Sequence, residues 1–336
     1  MMKRSLNVGI VGCGLIGRKR AAALGGHRLV AAADADASRA RALAAGHGGA
    51  KALADWRALV ADPGVDCIVV ATTPDWLAPI TLAAIESGKH VLVEKPAARS
   101  PEELIPVISA AKRAGVRVQV GFNHRYHPAL QKARELFDTG TLGEPMFVRG
   151  RYGHGGRLGY DKEWRADPKI SGGGELLDQG AHLIDLSRWF LGDFVKADGF
   201  IHTYFWDMPV EDNGFLLLRT AAGQAAWLHA SWTEWKNMFS FEIYTKHAKL
   251  DISGLGGSYG LERLTYHKMG PKLAPPETTS WEYPGEDASW RLEFEAFARA
   301  IEDGREPVAG LEDAKAALDI ISGVYAAQEP AAGRRS

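Results

Sequence analysis

The chain has 336 residues, 46% of them hydrophobic and 24% charged, with 40 Lys and Arg against 41 Asp and Glu for a formal net charge of −1. That length suits two domains, or one large one, with a substantial core. The near balance of charge excludes long-range attraction to nucleic acid or to an anionic membrane surface, and no apolar run approaches the roughly 20 residues that span a bilayer.

The basic start Met1 to Ser5 leads into Leu6 to Val11. That apolar run is short and soon broken by glycine, so it is predicted to be the first strand rather than a signal peptide. Gly12-Cys13-Gly14-Leu15-Ile16-Gly17 follows and reads G-x-G-x-x-G. A basic, Ala-rich helical stretch runs from Arg18 to Leu24, and a second apolar strand, Leu29 to Ala33, ends at Asp34. Strand, glycine turn, helix, strand and an acid roughly 20 residues on make the dinucleotide-binding pattern. Gly12 allows the tight turn, Gly14 lets backbone approach a pyrophosphate, and Gly17 lets the helix pack on the strand. The helix N-terminus favours the negative charge. Asp34 can accept from a ribose 2′-hydroxyl and repels a 2′-phosphate, so NAD is expected over NADP. Arg39 and Arg41 fit the exposed face of the next helix.

Helices are predicted at about Ala37 to Ala45 and Asp55 to Ala61, then a buried strand from Asp66 to Val70. The turn Ala71-Thr72-Thr73-Pro74 opens a helix to about Ser87, and the strand His90 to Val93 ends at Glu94-Lys95-Pro96. A helix from about Pro101 to Ala114 has Pro in its first turn, and Val116 to Val120 is a strand. Gly121-Phe122-Asn123 closes a doubly wound parallel sheet. Cys13 and Cys67 fall in or beside these strands and read as reduced core residues of a cytoplasmic protein.

The pattern then changes. A helix at about Pro128 to Asp138 precedes Met146 to Tyr152, which alternates as a strand, and a glycine-rich loop leads to a helix at about Glu175 to Phe190. Strand-like runs follow at Lys196 to Phe205, Gly214 to Arg219, Ala225 to Thr233, Phe239 to Thr245 and Leu261 to Lys268. Short turns between them imply a largely antiparallel sheet. Gly254 to Ser258 precedes a strand and reads as a turn, not a second nucleotide loop. Helices at about Ser289 to Asp303 and Glu312 to Ala327 finish the fold, and the tail from Glu329 is expected to be disordered. The domains are expected at 1–123 and 124–336.

Asp178 and His182 are four apart and share a helix face, with Asp185 three further on. A carboxylate beside a histidine orients the ring and stabilises imidazolium, the arrangement of a proton acceptor. Lys95 stands at the carboxyl end of a nucleotide-domain strand, where open α/β sheets bind their ligands and where an amine can stabilise developing alkoxide charge. Asn123 and Arg125 begin where the domains meet. His154, Arg157, Tyr160 and Trp164 offer hydrogen bonds and an aromatic face of the sort that sugars use. Arg149, Arg151, Arg157 and Arg165 could grip a phosphate or serve as surface charges. His124 and His127 have no carboxylate in their local pattern, so no metal is expected.

Three segments together, Gly12 to Gly17, Gly88 to Pro96 with its E-K-P element, and Gly172 to Asp185, resemble the glucose–fructose oxidoreductase / inositol dehydrogenase (Gfo/Idh/MocA) family over nearly the whole chain. The resemblance implies an N-terminal Rossmann domain and a C-terminal α/β domain. The latter would carry a large, open, mostly antiparallel sheet that forms a homodimer or homotetramer interface. It also implies hydride transfer between NAD and a secondary alcohol of a sugar, cyclitol or sugar derivative, with Lys95, Asp178 and His182 catalytic. Cofactor contacts are expected from Gly12, Cys13, Gly14, Leu15, Ile16, Gly17, Asp34, Thr72, Thr73, Pro74, Glu94, Lys95 and Asn123. Substrate contacts are expected from Lys95, Arg125, His154, Arg157, Tyr160, Trp164, Asp178 and His182. The Lys95–Pro96 bond is often cis in relatives. Where they often carry a histidine after the Thr-Pro turn, this chain has Leu77. The alternatives are a redox-assisted glycosidase with tightly held NAD and a non-catalytic NAD-binding regulator.

Overall fold

A computed structural model describes residues 5–270 and 274–328. The first four residues of the basic start and the tail from Glu329 lie outside the described residues. The chain forms two compact units. One holds the chain to Asn123 with Lys169–Gly172 and Trp290–Lys315; the other holds His124–Pro168, Gly173–Ser289 and the chain from Ala316. A single division at residue 123 therefore leaves out two exchanges: Lys169–Gly172 and Trp290–Lys315 both belong to the first unit.

The first unit is built on β1 (Asn7–Val11), β2 (Arg28–Ala33), β3 (Lys51–Leu53), β4 (Cys67–Val70), β5 (His90–Val93) and β6 (Val118–Val120). They form a six-stranded sheet of order β3-β2-β1-β4-β5-β6, and every neighbouring pair is parallel. Helices α1 (Leu15–Ala22), α2 (Ala37–Ala45), α3 (Trp56–Val60), α4 (Pro74–Glu86) and α5 (Pro101–Ala114) connect them. All four residues of β4 are buried, as a parallel strand covered on both faces requires. The order reverses at β1, so the carboxyl ends of β1, β4 and β5 lie side by side along one edge.

In the second unit α6 (Pro128–Asp138) precedes β7 (Pro145–Gly153). The short α7 (Pro168–Ser171) spans the change of unit, a π-helical turn covers Leu176–Gly180, and α8 is Ala181–Leu191. Strands β8 (Phe194–His202), β9 (Asn213–Thr220), β10 (Ala225–Ser231), β11 (Met238–Thr245), β12 (Ala248–Ser253), β13 (Glu262–Lys268) and β14 (Glu277–Tyr283) follow. With β7 they form an eight-stranded sheet, β14-β13-β12-β11-β7-β10-β9-β8. All its pairs are antiparallel except β10 with β7. Helices α9 (Ser289–Glu302) and α10 (Leu311–Gln328) close the chain. No helix among the described residues is long and apolar enough to cross a membrane.

Three strands were not predicted. β3 has only three residues, β12 reads AKLDIS with charges on alternate positions, and the edge strand β14 reads ETTSWEY and is largely exposed. β3 and β14 lack the apolar alternation by which a half-buried strand is recognised, whereas β12 has it, with Ala248, Leu250 and Ile252 buried, and the sequence reading passed it over.

Candidate active site

The glycine loop joins β1 to α1. Gly12 has φ +92°, and a side chain there would collide with the backbone of Ala71 and Thr72. A Cβ on Gly17 would strike the carbonyl oxygen of Gly12, so glycine is needed for α1 to pack on β1. A Cβ on Gly14 would meet nothing within 4 Å. Gly14 is the N-cap of α1 and no side chain caps that end, so its free N–H groups face open space. Asp34, at the end of β2, accepts from Cys13 N at 2.7 Å and from Asp36 N at 2.8 Å. The same carboxylate braces the loop and closes its own turn. Thr73 caps α4 with Pro74 at its first turn, and the hydroxyl oxygen of Thr72 is buried without a hydrogen-bond partner. A cradle that only glycine permits, an uncapped helix end, an acid beside it and an orphaned hydroxyl fit a dinucleotide. The Cys13 thiol is buried against Ala33 O; burial, then Asp34, pushes it up to about 12, so Cys13 lends its backbone only.

Glu94 follows β5, with its N–H on Val70 O and its carbonyl accepting from Ala97 N, both at 2.9 Å. The Lys95–Pro96 bond is cis, and Ala97 has φ +72°. Lys95 is half-buried and stands on the same sheet edge as the glycine loop. Behind it Arg20 of α1 donates to Glu94 at 2.6 Å and to Glu293 of α9. Arg20 and Glu293 are fully buried, and burial pushes the Glu293 carboxyl up to about 7, against the pull of Arg20.

In the second unit Gly173 and Gly174 are explained by packing. A Cβ on Gly173 would strike the Tyr325 hydroxyl, and one on Gly174 the backbone of Glu211. Buried Glu211 accepts from Gly174 N and Leu176 N, both at 3.0 Å, and from the Tyr325 hydroxyl at 2.7 Å. It thereby caps the helical segment that carries Asp178 and His182. The expected uninterrupted helix is instead a π-helical turn followed by α8; such turns are often found at functional sites. Asp178 Oδ2 lies 3.5 Å from Arg165 Nε. The buried His182 ring stacks on His124, with centroids 3.8 Å apart and planes at 24°. Tyr152 lies edge-on to His182 at 6.2 Å and 5.4 Å from Tyr259, which Gln179 reaches. Burial, then neighbouring oxygens, holds the Tyr152 hydroxyl well above its usual range and pushes Tyr259 up to about 12. Both are therefore neutral donors at physiological pH.

The sequence matches the "Oxidoreductase family, NAD-binding Rossmann fold" over residues 6–122 and the "GFO/IDH/MocA C-terminal domain" over residues 130–251. It is 30% identical to 1,5-anhydro-D-fructose reductase of Ensifer adhaerens over 315 residues, 91% of each chain.

The chain belongs to the GFO/IDH/MocA oxidoreductase family.

It is also 30% identical to levoglucosan dehydrogenase of Pseudarthrobacter phenanthrenivorans over 243 residues. That match covers 66% of this chain and 60% of the relative, so the chain spans less than two thirds of that protein's length. A solved levoglucosan dehydrogenase in complex with NADH and levoglucosan shares the fold with a TM-score of 0.88 at 23% identity, covering 96% of this chain and 98% of that one.

Several expected contacts in this GFO/IDH/MocA chain are placed otherwise. Arg125 is buried and bidentate to Asp185, Nε at 2.9 Å and Nη2 at 2.6 Å. A guanidinium taken out of water needs its carboxylate, so Arg125 is held as the buried partner of Asp185. Glu94 spends its carboxylate on Arg20 and is no side-chain cofactor contact. Leu77 is 1% exposed, a core residue of α4. Tyr160 is buried with Val210 and Trp232 and presents only its ring, under Arg157 and Arg165. His154 Nδ1 accepts from Gly156 N at 2.9 Å. Asn123 is buried, Leu15 is exposed, and Ile16 and Trp164 are half-buried. Arg149 and Arg151 alternate along β7 with buried Val148, Gly150 and Tyr152, so period two puts them on the opposite sheet face from Tyr152. Sequence reasoning named Tyr152 only as the end of a strand and the start of a hydrogen-bonding loop; the alternation of β7 places it on the buried sheet face. Glu163, Glu211 and Tyr259 gave no such signal. Among the described residues no group of three or more His, Cys, Asp or Glu could hold a metal ion.

Proposed function

We propose that the chain is an NAD-dependent dehydrogenase or ketoreductase acting on a secondary alcohol of a sugar, cyclitol or sugar derivative. The carrying observation is Lys95 at the carboxyl end of β5, on the edge where β1 presents the open Gly14 backbone and β2 presents Asp34. Relatives named as dehydrogenases and reductases of sugars support the substrate class. Gly12, Gly14, Gly17, Asp34 and Thr72 would hold the dinucleotide, with Asp34 on the adenosine ribose. When bound, NAD supplies the hydride acceptor. Lys95 donates a hydrogen bond to the reacting oxygen and stabilises its negative charge as the carbon–hydrogen bond breaks. His182, held flat by His124, takes the hydroxyl proton, and Asp178 stabilises the charged ring. Both thiols are unpaired and buried, which supports a reducing, cytoplasmic setting.

The test is Lys95→Ala and His182→Ala, each verified as folded, assayed by NADH absorbance on a panel of inositols, free sugars and glycosides. The expected loss in kcat is about 10²- to 10⁴-fold for each. Folded variants with kcat near the wild type would end the assignment. Aglycone release without net NADH would favour a redox-assisted glycosidase, and NADH binding without turnover of any sugar would favour a regulator.

A further inference from the structure

Arg157 and Arg165 of the second unit converge on one carboxylate. Arg157 Nη2 lies 2.6 Å from Glu163 Oε1, and Arg165 Nη1 lies 3.3 Å from Glu163 Oε2. Each oxygen of Glu163 thus serves one guanidinium. Both guanidiniums lie over the Tyr160 ring, at 5.6 and 5.8 Å from its centroid, and Arg165 also lies over Trp164 at 4.3 Å. Arg165 turns its remaining edge to Asp178, 3.5 Å from Nε. Two arginines fixed on aromatic faces, with fork-shaped donors aimed at one point, form the arrangement that recognises a phosphate. Here the protein's own acid stands at that point. The two positive charges of the pair are matched by Glu163 and Asp178. Arg125, the remaining arginine among the expected substrate contacts, is consumed by Asp185.

We infer that Glu163 is a specificity determinant: it fills the Arg157–Arg165 clamp with an internal anion, so the site takes uncharged polyols and rejects their phosphate esters. The inference rests on the dehydrogenase reading for the identity of the site, but its charge argument does not depend on turnover. A phosphate entering beside Asp178 would face two carboxylates and could take the point where the two guanidiniums converge only by displacing Glu163. Neutral hydroxyls meet no such barrier. The same geometry makes the exclusion reversible by one substitution. Glu163→Gln keeps the shape but removes the charge, leaving Arg157 and Arg165 short of one anion.

The experiment titrates inorganic phosphate by calorimetry at low salt into wild type and Glu163→Gln, each saturated with NADH so that the glycine-loop anion cradle is filled, with the double variant Glu163→Gln/Arg165→Met as control. Wild type is expected to give no saturable binding in the millimolar range. Glu163→Gln should bind phosphate about tenfold or more tightly, and the double variant should lose that gain. Wild type is also compared on neutral sugars and their 6-phosphates by NADH formation, which needs no variant to fold. Phosphate binding by wild type, no gain in folded Glu163→Gln, or 6-phosphates turned over as well as the free sugars would each overturn the inference. Absence of NADH from both sugar series, with the phosphate contrast intact, would instead count against the dehydrogenase reading and leave the charge argument standing.

Discussion

Gly14 and Gly17 stand three positions apart in one motif and answer to different forces. Gly17 is a packing residue, since a Cβ there would collide with Gly12 O, whereas Gly14 faces open space. Gly17→Ala is therefore expected to lower the melting temperature. Gly14→Ala should leave it unchanged but weaken NADH about tenfold or more, as the added methyl occupies the backbone's approach to pyrophosphate. Thermal melts and NADH fluorescence titration separate the two, and equal effects on stability would contradict the assignment. Asp185 makes a second contrast. Its spacing from His182 suggested a part in proton transfer, yet the structure spends it on Arg125. Asp185→Asn leaves a buried guanidinium without its counter-charge and should cost about 3–5 kcal/mol in denaturant unfolding, far more than an exposed ion pair.

Helix α9 illustrates what an element adds that its own sequence does not announce. Its Phe294, Phe297 and Ala298 join the core of the parallel sheet, and Glu293 reaches Arg20, with Gln119 also bonding it. Trp290 covers the same guanidinium at 4.5 Å. Because the Glu293 value is raised from 4.5 to about 7, the folded state binds a proton that the unfolded chain releases. Its contribution to stability is full below about pH 4.5 and is lost as pH rises to about 7. Glu293→Gln removes the titration, so its melting temperature should depend less on pH across that window than the wild type's. Parallel curves would refute the assignment. The π-helical turn is also an element-level device. Glu211 and the close-packed glycines hold it, and Asp178 on it lies 3.5 Å from Arg165.

The eight-stranded sheet leaves one face uncovered. Val195, Phe200, Leu217 and Trp227 are 70%, 48%, 46% and 47% exposed there, and Phe200, Phe215 and His229 stack across strands β8 to β10. On the same face Arg149 pairs with Glu242 at 2.8 Å. Apolar surface rimmed by charges of both signs suits an interface between copies of this chain. Trp227→Glu should shift a homodimer or homotetramer toward smaller species in light scattering without lowering the melting temperature of the monomer. An unchanged mass would exclude this face.

The Rossmann half was legible because its signals are local: strand, glycine turn and helix follow one another, and Gly17 answers to the carbonyl of Gly12 within the same motif. The place of Lys95 was legible for the same reason, two residues past the largely buried strand β5. The fates of Arg125, Asp185, Glu94 and Arg165 were not, because each depends on a charge 60 or more positions away, or on the loop's fold, that burial or aromatic packing brings alongside. Sequence spacing determines which residues a helix or strand presents together; which counter-charge a buried ion then takes is decided only when folding removes water as the alternative.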